Sequence, residues 1–157
     1  MKQIKLTRGM FSLVDDIDFE RLNKFKWYAN KGGKNFYAMR NYRVKDTRKR
    51  KTIRMHTAIL KPLFGQEIDH IDGNGLNNQR KNLRTCTKSQ NAMNVGLRID
   101  NKSGCKGVSF DAGTKKWRVQ ISIDKKQRYI GIFATKLEAY EKYCATCDKF
   151  HGDFAKK

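Results

Sequence analysis

The chain has 157 residues, enough for one ordinary domain or two small ones. Its 35 Lys and Arg stand against 15 Asp and Glu, a formal charge of +20 that calls for a polyanionic partner, either nucleic acid or an anionic membrane surface. No run reaches the roughly 20 apolar residues of a spanning helix, and Met1-Lys2-Gln3-Ile4-Lys5 lacks the apolar core of a signal peptide, so the expectation is a cytoplasmic, non-secreted protein.

Residues 1 to about 55 read as β-rich. Ile4–Leu6, Phe11–Val14, Lys26–Ala29, Phe36–Tyr42 and Thr52–Met55 are short strand-like runs broken by Gly9, Lys31-Gly32-Gly33 and Asp46-Thr47. A short helix is expected over Phe19–Phe25, and Trp27, Tyr28, Phe36 and Tyr37 are the expected aromatic core. Arg40, Arg43, Lys45, Arg48, Lys49, Arg50, Lys51 and Arg54 form a dense positive run with few compensating acids. Such cations repel one another unless a polyphosphate neutralises them, and they would anchor a nucleic acid without reading its sequence.

His56 opens a short helical stretch to Leu60, stopped by Pro62. A lone His at such a boundary is the ordinary mark of a structural residue. The polar stretch Glu67-Ile68-Asp69-His70-Ile71-Asp72-Gly73-Asn74-Gly75-Leu76-Asn77-Asn78 follows, then Asn82-Leu83-Arg84 and Ser89-Gln90-Asn91. A neutral imidazole takes a proton from water near pH 7, which suits His70 as a general base. Asp69 and Asn91 offer a carboxylate and an amide oxygen to a hard cation that keeps several waters. Neighbouring residues on a regular strand face opposite ways, so Asp69 and His70 share one phosphate only if the strand ends there. Asp72-Gly73-Asn74-Gly75 supplies the bend. Asn82 could orient the imidazole near Nδ1 and leave Nε2 for water. A calcium loop beginning at Asp72 fails, because Leu76 and Asn77 occupy its fifth and sixth positions. A surface turn remains the plain alternative for so much Asn and Gly.

Lys88–Val95 reads as a second short helix and residues 99–106 as a linker. Gly107–Phe110, Trp117–Ile123 and Gln127–Phe133 are strand candidates, followed by a long helix over Lys136–Phe150. Trp117, Val119, Ile121 and Ile123 alternate with polar residues, and Leu137, Ala139, Tyr140, Tyr143, Cys144, Cys147 and Phe150 form the helical stripe that would cover them. That leaves the other face of the sheet available to a ligand. Cys86, Cys105, Cys144 and Cys147 are too unevenly spaced for a disulfide framework. Cys144, Cys147, His151 and Cys105 could be gathered around zinc, though buried thiols on a helix are the simpler reading.

Ile68-Asp69-His70-Ile71-Asp72-Gly73-Asn74 with Leu76-Asn77-Asn78, Asn82-Leu83-Arg84 and Ser89-Gln90-Asn91 resembles the HNH homing endonucleases of phages and mobile introns, and Arg54-Met55-His56 is similar to their lead-in. The resemblance implies a ββα-metal nuclease module acting on double-stranded DNA in a bacterial or phage-infected cell. It implies His70 as base, Asn82 as the residue that positions it, Asp69 and Asn91 as ligands, and one divalent ion, Mg²⁺ or Mn²⁺. Arg84 would add to the basic DNA contacts. The tail from Gly107-Val108 through Trp117, Tyr129-Ile130-Gly131 and Glu138-Ala139 resembles the Apetala-type (ethylene-response-factor) DNA-binding domain, which implies Ser109, Arg118, Gln120, Ser122, Gln127 and Tyr129 on the DNA face. Ser109 and Ser122 stand at two of that family's usual arginine positions, so its base preference does not carry over.

The expected fold class is therefore α+β: a β-rich N-terminal region leading into the HNH module (residues 1–98, motif core 54–95), a linker at 99–106, and a three-stranded antiparallel sheet on one helix (107–157). One motif per chain implies a monomer or weak dimer, with a double-strand break requiring a dimer or sequential nicks. A non-catalytic DNA-binding regulator would use the same basic surfaces but would have no use for Asp69, His70, Asn82 and Asn91 together.

Overall fold

The computed structural model describes residues 1–123 and 126–155, and backbone packing divides the chain into two compact units, Met1–Thr87 and Lys88–Lys157. The first unit opens with an antiparallel hairpin, β1 (Lys2–Lys5) and β2 (Phe11–Val14). Alternation along these strands turns Ile4, Ser12 and Val14 inward, while Gln3, Lys5 and Phe11 face solvent. Helix α1 (Asp16–Asn23) begins three residues earlier than the sequence pattern suggests, because Asp16 and Asp18 occupy its first turn, where negative charge complements the helix dipole.

Three strands, β3 (Tyr28–Gly32), β4 (Asn35–Arg43) and β5 (Arg50–Arg54), form an antiparallel sheet in chain order. Helix α2 (Met55–Leu60) follows, and a second hairpin pairs β6 (Glu67–His70) with β7 (Leu83–Cys86), setting Asp69 opposite Arg84 and His70 opposite Leu83. The core joins Ile4, Leu6, Val14, Leu22, Trp27, Ala29, Ala38, Met55, Ile59 and Leu83. Each large aliphatic side chain buried here contributes about 1.5–3 kcal/mol. Of the four aromatics expected in this core only Trp27 is fully buried, with its indole N–H donating to the Leu22 carbonyl at 2.8 Å. Tyr28, Phe36 and Tyr37 are half-buried. They lie on a sheet with one face toward the core and one toward solvent.

In the second unit, α3 (Lys88–Met93) precedes β8 (Val108–Asp111), β9 (Lys116–Ile123) and β10 (Lys126–Phe133), an antiparallel sheet with β9 in the middle. Helix α4 (Lys136–His151) starts at a capping box in which Thr135 accepts from the Glu138 amide and the Glu138 carboxylate accepts from the Thr135 amide. Ala139, Tyr143 and Cys147 bury against Val108, Val119 and Ile121. Leu137 and Phe150, expected on the same stripe, are 66% and 49% exposed, since they lie at the ends of the helix beyond the reach of the short sheet. Residues 99–106 fall inside this unit. Lys106 Nζ donates to the Met93 and Val95 carbonyls at 2.7 and 2.6 Å, and Asn101 and Ser103 bond to Cys105, so the polar composition builds a self-bonded loop.

All four cysteines are free thiols. Among the described residues no group of three or more His, Cys, Asp and Glu is gathered to hold a metal. His151, suggested as a zinc ligand, instead has Nε2 2.9 Å from the Ser122 carbonyl. No helix among the described residues is long and apolar enough to cross a membrane.

Candidate active site

Strand β6 ends at His70, and the chain turns at once. Gly73 N–H donates to the His70 carbonyl at 2.8 Å, the Asn74 amide to Asp72 Oδ1 at 2.7 Å, and Gly73 takes φ +77°, which a side chain would resist. Gly75 is required for another reason. A Cβ there would lie 2.5 Å from the Phe36 carbonyl and 2.6 Å from the Tyr37 ring, so the loop touches β4 only because that position has no side chain.

The loop is held from three sides. From β4, Asn35 donates to the Gly73 carbonyl at 2.8 Å. From β2, Leu13 N–H donates to Leu76 O at 2.9 Å and Asn78 N–H to Leu13 O at 2.8 Å, a short parallel bridge. From the turn just before β7, Asn82 accepts from the Asp72 amide at 3.0 Å and donates to Asp72 Oδ1 at 2.9 Å and Asn77 O at 2.8 Å. The Asn82 amide therefore holds the loop, and the amide beside the imidazole is that of Asn78, with Oδ1 3.4 Å from His70 Nε2. Just beyond, Arg80 makes two bonds to buried Asp18, at 2.7 and 3.0 Å, and its amide donates to Asp15 Oδ2 at 2.7 Å. This occupies the carboxylate of Asp15, which stands at the N-cap of α1 without capping it.

Asp69 and His70 are both 6% exposed. Arg84 holds Asp69 through two bonds to Oδ2, at 2.9 and 2.7 Å, as their cross-strand register dictates. His70 packs 4.9 Å from the ring of His56 and 6.0 Å from that of Tyr37, and the Arg54 guanidinium lies 5.4 Å over Tyr37. Burial pushes the His56 imidazole down to about 3, helped by the nearby His70 and Arg54. His70 is also lowered by burial, against the opposing pull of the Asn78 bond and the Asp72 and Asp69 charges, so it is neutral and able to accept a proton at pH 7. Burial alone would raise Asp72, but hydrogen bonds from Asn74, Asn77 and Asn82 outweigh it and keep the carboxyl below its usual range. Burial and the Asp69 and Glu67 charges push the Cys86 thiol up to about 11, which excludes it as a thiolate nucleophile near neutral pH.

Asn91 is half-buried on α3, in the second unit. Of the basic residues, Arg43, Arg48, Lys49, Arg50, Lys51 and Arg54 are exposed on or between β4 and β5. Arg40 differs: its guanidinium lies 3.9 Å over Phe25 and 5.5 and 5.7 Å from the Trp27 and Tyr42 rings, where it seals the edge of the core. In the second unit, Ser109, Arg118, Gln120, Ser122, Gln127 and Tyr129 are exposed, with Arg118 paired to Asp111. Ser12, Asp15, Asp18 and Asn78 were invisible as site residues in the sequence. The first three lie 50 or more positions before His70, and Asn78 differs from its Asn neighbours only in being 1% exposed.

The β6–β7 hairpin thus carries a buried Asp-His pair at the end of its first strand and is locked by an Asn just before its second. Residues 62–93 match the HNH endonuclease family model, so this part of the chain is an HNH endonuclease domain. The chain is similar, at 35% identity over 94 residues (59% of this chain and 75% of the relative), to Protein 3.8 of Escherichia phage T7. It is also similar, at 28% identity over 152 residues (94% of this chain and 74% of the relative), to an uncharacterized HNH endonuclease of Acanthamoeba polyphaga mimivirus. No solved structure matches the chain.

Proposed function

We propose that the protein is a metal-dependent DNA endonuclease of the phage and intron HNH type, hydrolysing a phosphodiester in duplex DNA. The observation that carries this reading is a buried, neutral His70 at a strand end beside Asp69, in a chain of charge +20. His70 takes the proton of the attacking water. Asn82 keeps the 71–77 loop closed, so that His70 stays at the end of β6 rather than swinging out with a frayed turn. Arg84 fixes the Asp69 carboxylate through Oδ2.

Asp69 and Asn91 would hold the divalent ion. A carboxylate and an amide oxygen are hard donors that fit Mg²⁺ or Mn²⁺ and suit a thiophilic ion poorly. When bound, such an ion stabilises charge on the phosphate and on the leaving oxygen. The β6–β7 hairpin would supply the two strands of a ββα-metal module. Arg43, Arg48, Lys49, Arg50, Lys51 and Arg54 bind DNA phosphates. Ser109, Arg118, Gln120, Ser122, Gln127 and Tyr129 contact the duplex through the sheet of an Apetala-type module and set site preference, with Arg118 leaving Asp111 for the nucleic acid.

Incubation of supercoiled DNA with the purified protein and Mg²⁺ tests the reading. Nicked or linear product is expected, lost with EDTA and in His70→Ala. Undiminished cutting by His70→Ala would overturn the mechanism.

A further inference from the structure

The loop between α2 and β6 holds two large apolar side chains out in water, Leu63 at 74% and Phe64 at 107% exposed. The backbone around them is fixed. Lys61 closes α2 in the left-handed region, its N–H donating to the Thr57 carbonyl at 3.0 Å, and Pro62 has no N–H with which to carry the helix on. Gln66 N–H then donates to the Leu63 carbonyl at 3.0 Å, and Gly65 between them takes φ +82°, which glycine adopts without strain. The Gln66 side chain adds a second bond, Oε1 accepting from the Leu63 N–H at 3.1 Å. A lone exposed apolar residue is ordinary, but here two neighbours share a turn that two hydrogen bonds close.

Size and charge decide what covers them. A Phe side chain buries about 150–250 Å², whereas a stable protein contact takes about 800 Å² from each partner, so two side chains are too little for a subunit interface. A second copy would also set a charge of +20 against +20. The single charge between Lys61 and Gln66 is the positive one of Lys61, which suits a polyanion. The turn belongs to the same compact unit as the β6–β7 hairpin, and six residues of chain keep Phe64 within about 20 Å of His70, a span of roughly six base pairs.

We infer that the Leu63-Phe64 turn is a wedge that enters a base step of duplex DNA near the phosphate to be cut. Phe64 stacks on a base, Leu63 fills the space beside it, and Lys61 meets the flanking backbone. The inference rests on the DNA-binding half of the proposed function and adds to it a place and a mode of contact. Apolar wedges part a base step and kink the duplex by about 20–90°. A turn already closed by its own hydrogen bonds suits that task, because little chain freedom is lost on insertion.

Unwinding reads the wedge without knowledge of the target sequence. Closed circular plasmid is relaxed by a metal-independent topoisomerase in EDTA with the full-length protein bound, and its topoisomers are resolved after the protein is removed. Wild type should leave the plasmid negatively supercoiled, and Phe64→Ala at matched occupancy should not. Because Phe64 is fully exposed, the variant should fold as wild type does. Its affinity for duplex DNA should fall about 10-fold, the loss of one stacking contact, with the slope against log salt unchanged because no phosphate contact is removed. Phe64→Tyr keeps a ring at the turn and should keep both properties. Wild-type affinity and unwinding in Phe64→Ala would overturn the wedge. So would unchanged DNA binding in Phe64→Ala together with loss of a wild-type dimer in sedimentation, or of binding to anionic phospholipid vesicles, either of which assigns the turn to another partner. A wild type that binds and cuts DNA without unwinding that depends on Phe64 defeats the wedge alone. A wild type that does not bind duplex DNA defeats the proposed function and the wedge with it.

Discussion

Asn82→Asp separates two roles for the same residue. In the structure the Asn82 NH₂ group donates to Asp72 Oδ1 at 2.9 Å, while its oxygen accepts from the Asp72 amide at 3.0 Å. Aspartate keeps the acceptor and replaces the donor with a second anionic oxygen at about the same separation. Two unit charges about 3 Å apart repel by about 1.4 kcal/mol in water and about 5 kcal/mol at an effective dielectric constant of 20. Asp72 is at the surface and Asn82 is 7% exposed, which places the pair between these limits. The lost bond to a carboxylate adds about 1.5 kcal/mol. Asn82→Asp should therefore destabilise the protein by about 3 kcal/mol at pH 7. That loss should shrink near pH 4 as one carboxyl protonates, whereas the loss in Asn82→Ala, which gives up all three bonds and adds no charge, should change less. Urea unfolding of the three proteins at both pH values measures both losses, with DNA cleavage assayed in parallel. Wild-type stability and activity in Asn82→Asp would refute the reasoning, because that outcome fits an Asn82 bonded to the imidazole, where a carboxylate would serve as well.

Arg80→Ala removes both bonds to buried Asp18 and leaves Arg21 as the remaining cation on it. The outer part of the pair is solvated, so a loss of about 1–2 kcal/mol is expected by chemical unfolding. Burial would raise the Asp18 carboxyl, but the Arg80 and Arg21 bonds win and lower it. The pair therefore stabilises the fold above the ordinary carboxylate range and ceases to as pH falls through the depressed value, so Arg80→Ala should flatten that part of the acid-unfolding profile. His56 works over a different window. With the folded value near 3 and the unfolded value near 6.5, the unfolded chain binds the extra proton between them. Stability should fall as pH drops below about 6, by on the order of 1 kcal/mol per pH unit, and His56→Phe should reduce that slope. Replacing Arg48, Lys49, Arg50 and Lys51 together with Ala should weaken duplex binding and flatten its dependence on log salt by up to about 3.6, if all four meet phosphates. An unchanged slope would remove this loop from the DNA surface.

The element pattern was largely legible in the sequence because it depends on local alternation and turn chemistry. The runs at 11–14 and 116–123, the helix before Pro62 and the capped final helix appear where side-chain period and breakers put them. The Asp69-His70 pair and the bend after it were also readable, because residue type and the Asp-Gly-Asn sequence suffice to stop a strand. What escaped was which amide serves which group. Asn74, Asn77, Asn78 and Asn82 are chemically alike, and their partners follow from where the loop meets β2, β4 and β7.

The sequence by itself therefore determined the charge, the order of strands and helices, and the presence of an imidazole beside a carboxylate at a strand end. These are properties of neighbours in the chain. Only the tertiary structure decided that Ser12 and Asp18 support a loop more than 60 residues away, that Arg84 holds Asp69, and that Arg40 covers aromatic rings. A hydrogen bond extends over about 3 Å of space, and no periodicity in the chain encodes which distant residue will arrive within that distance.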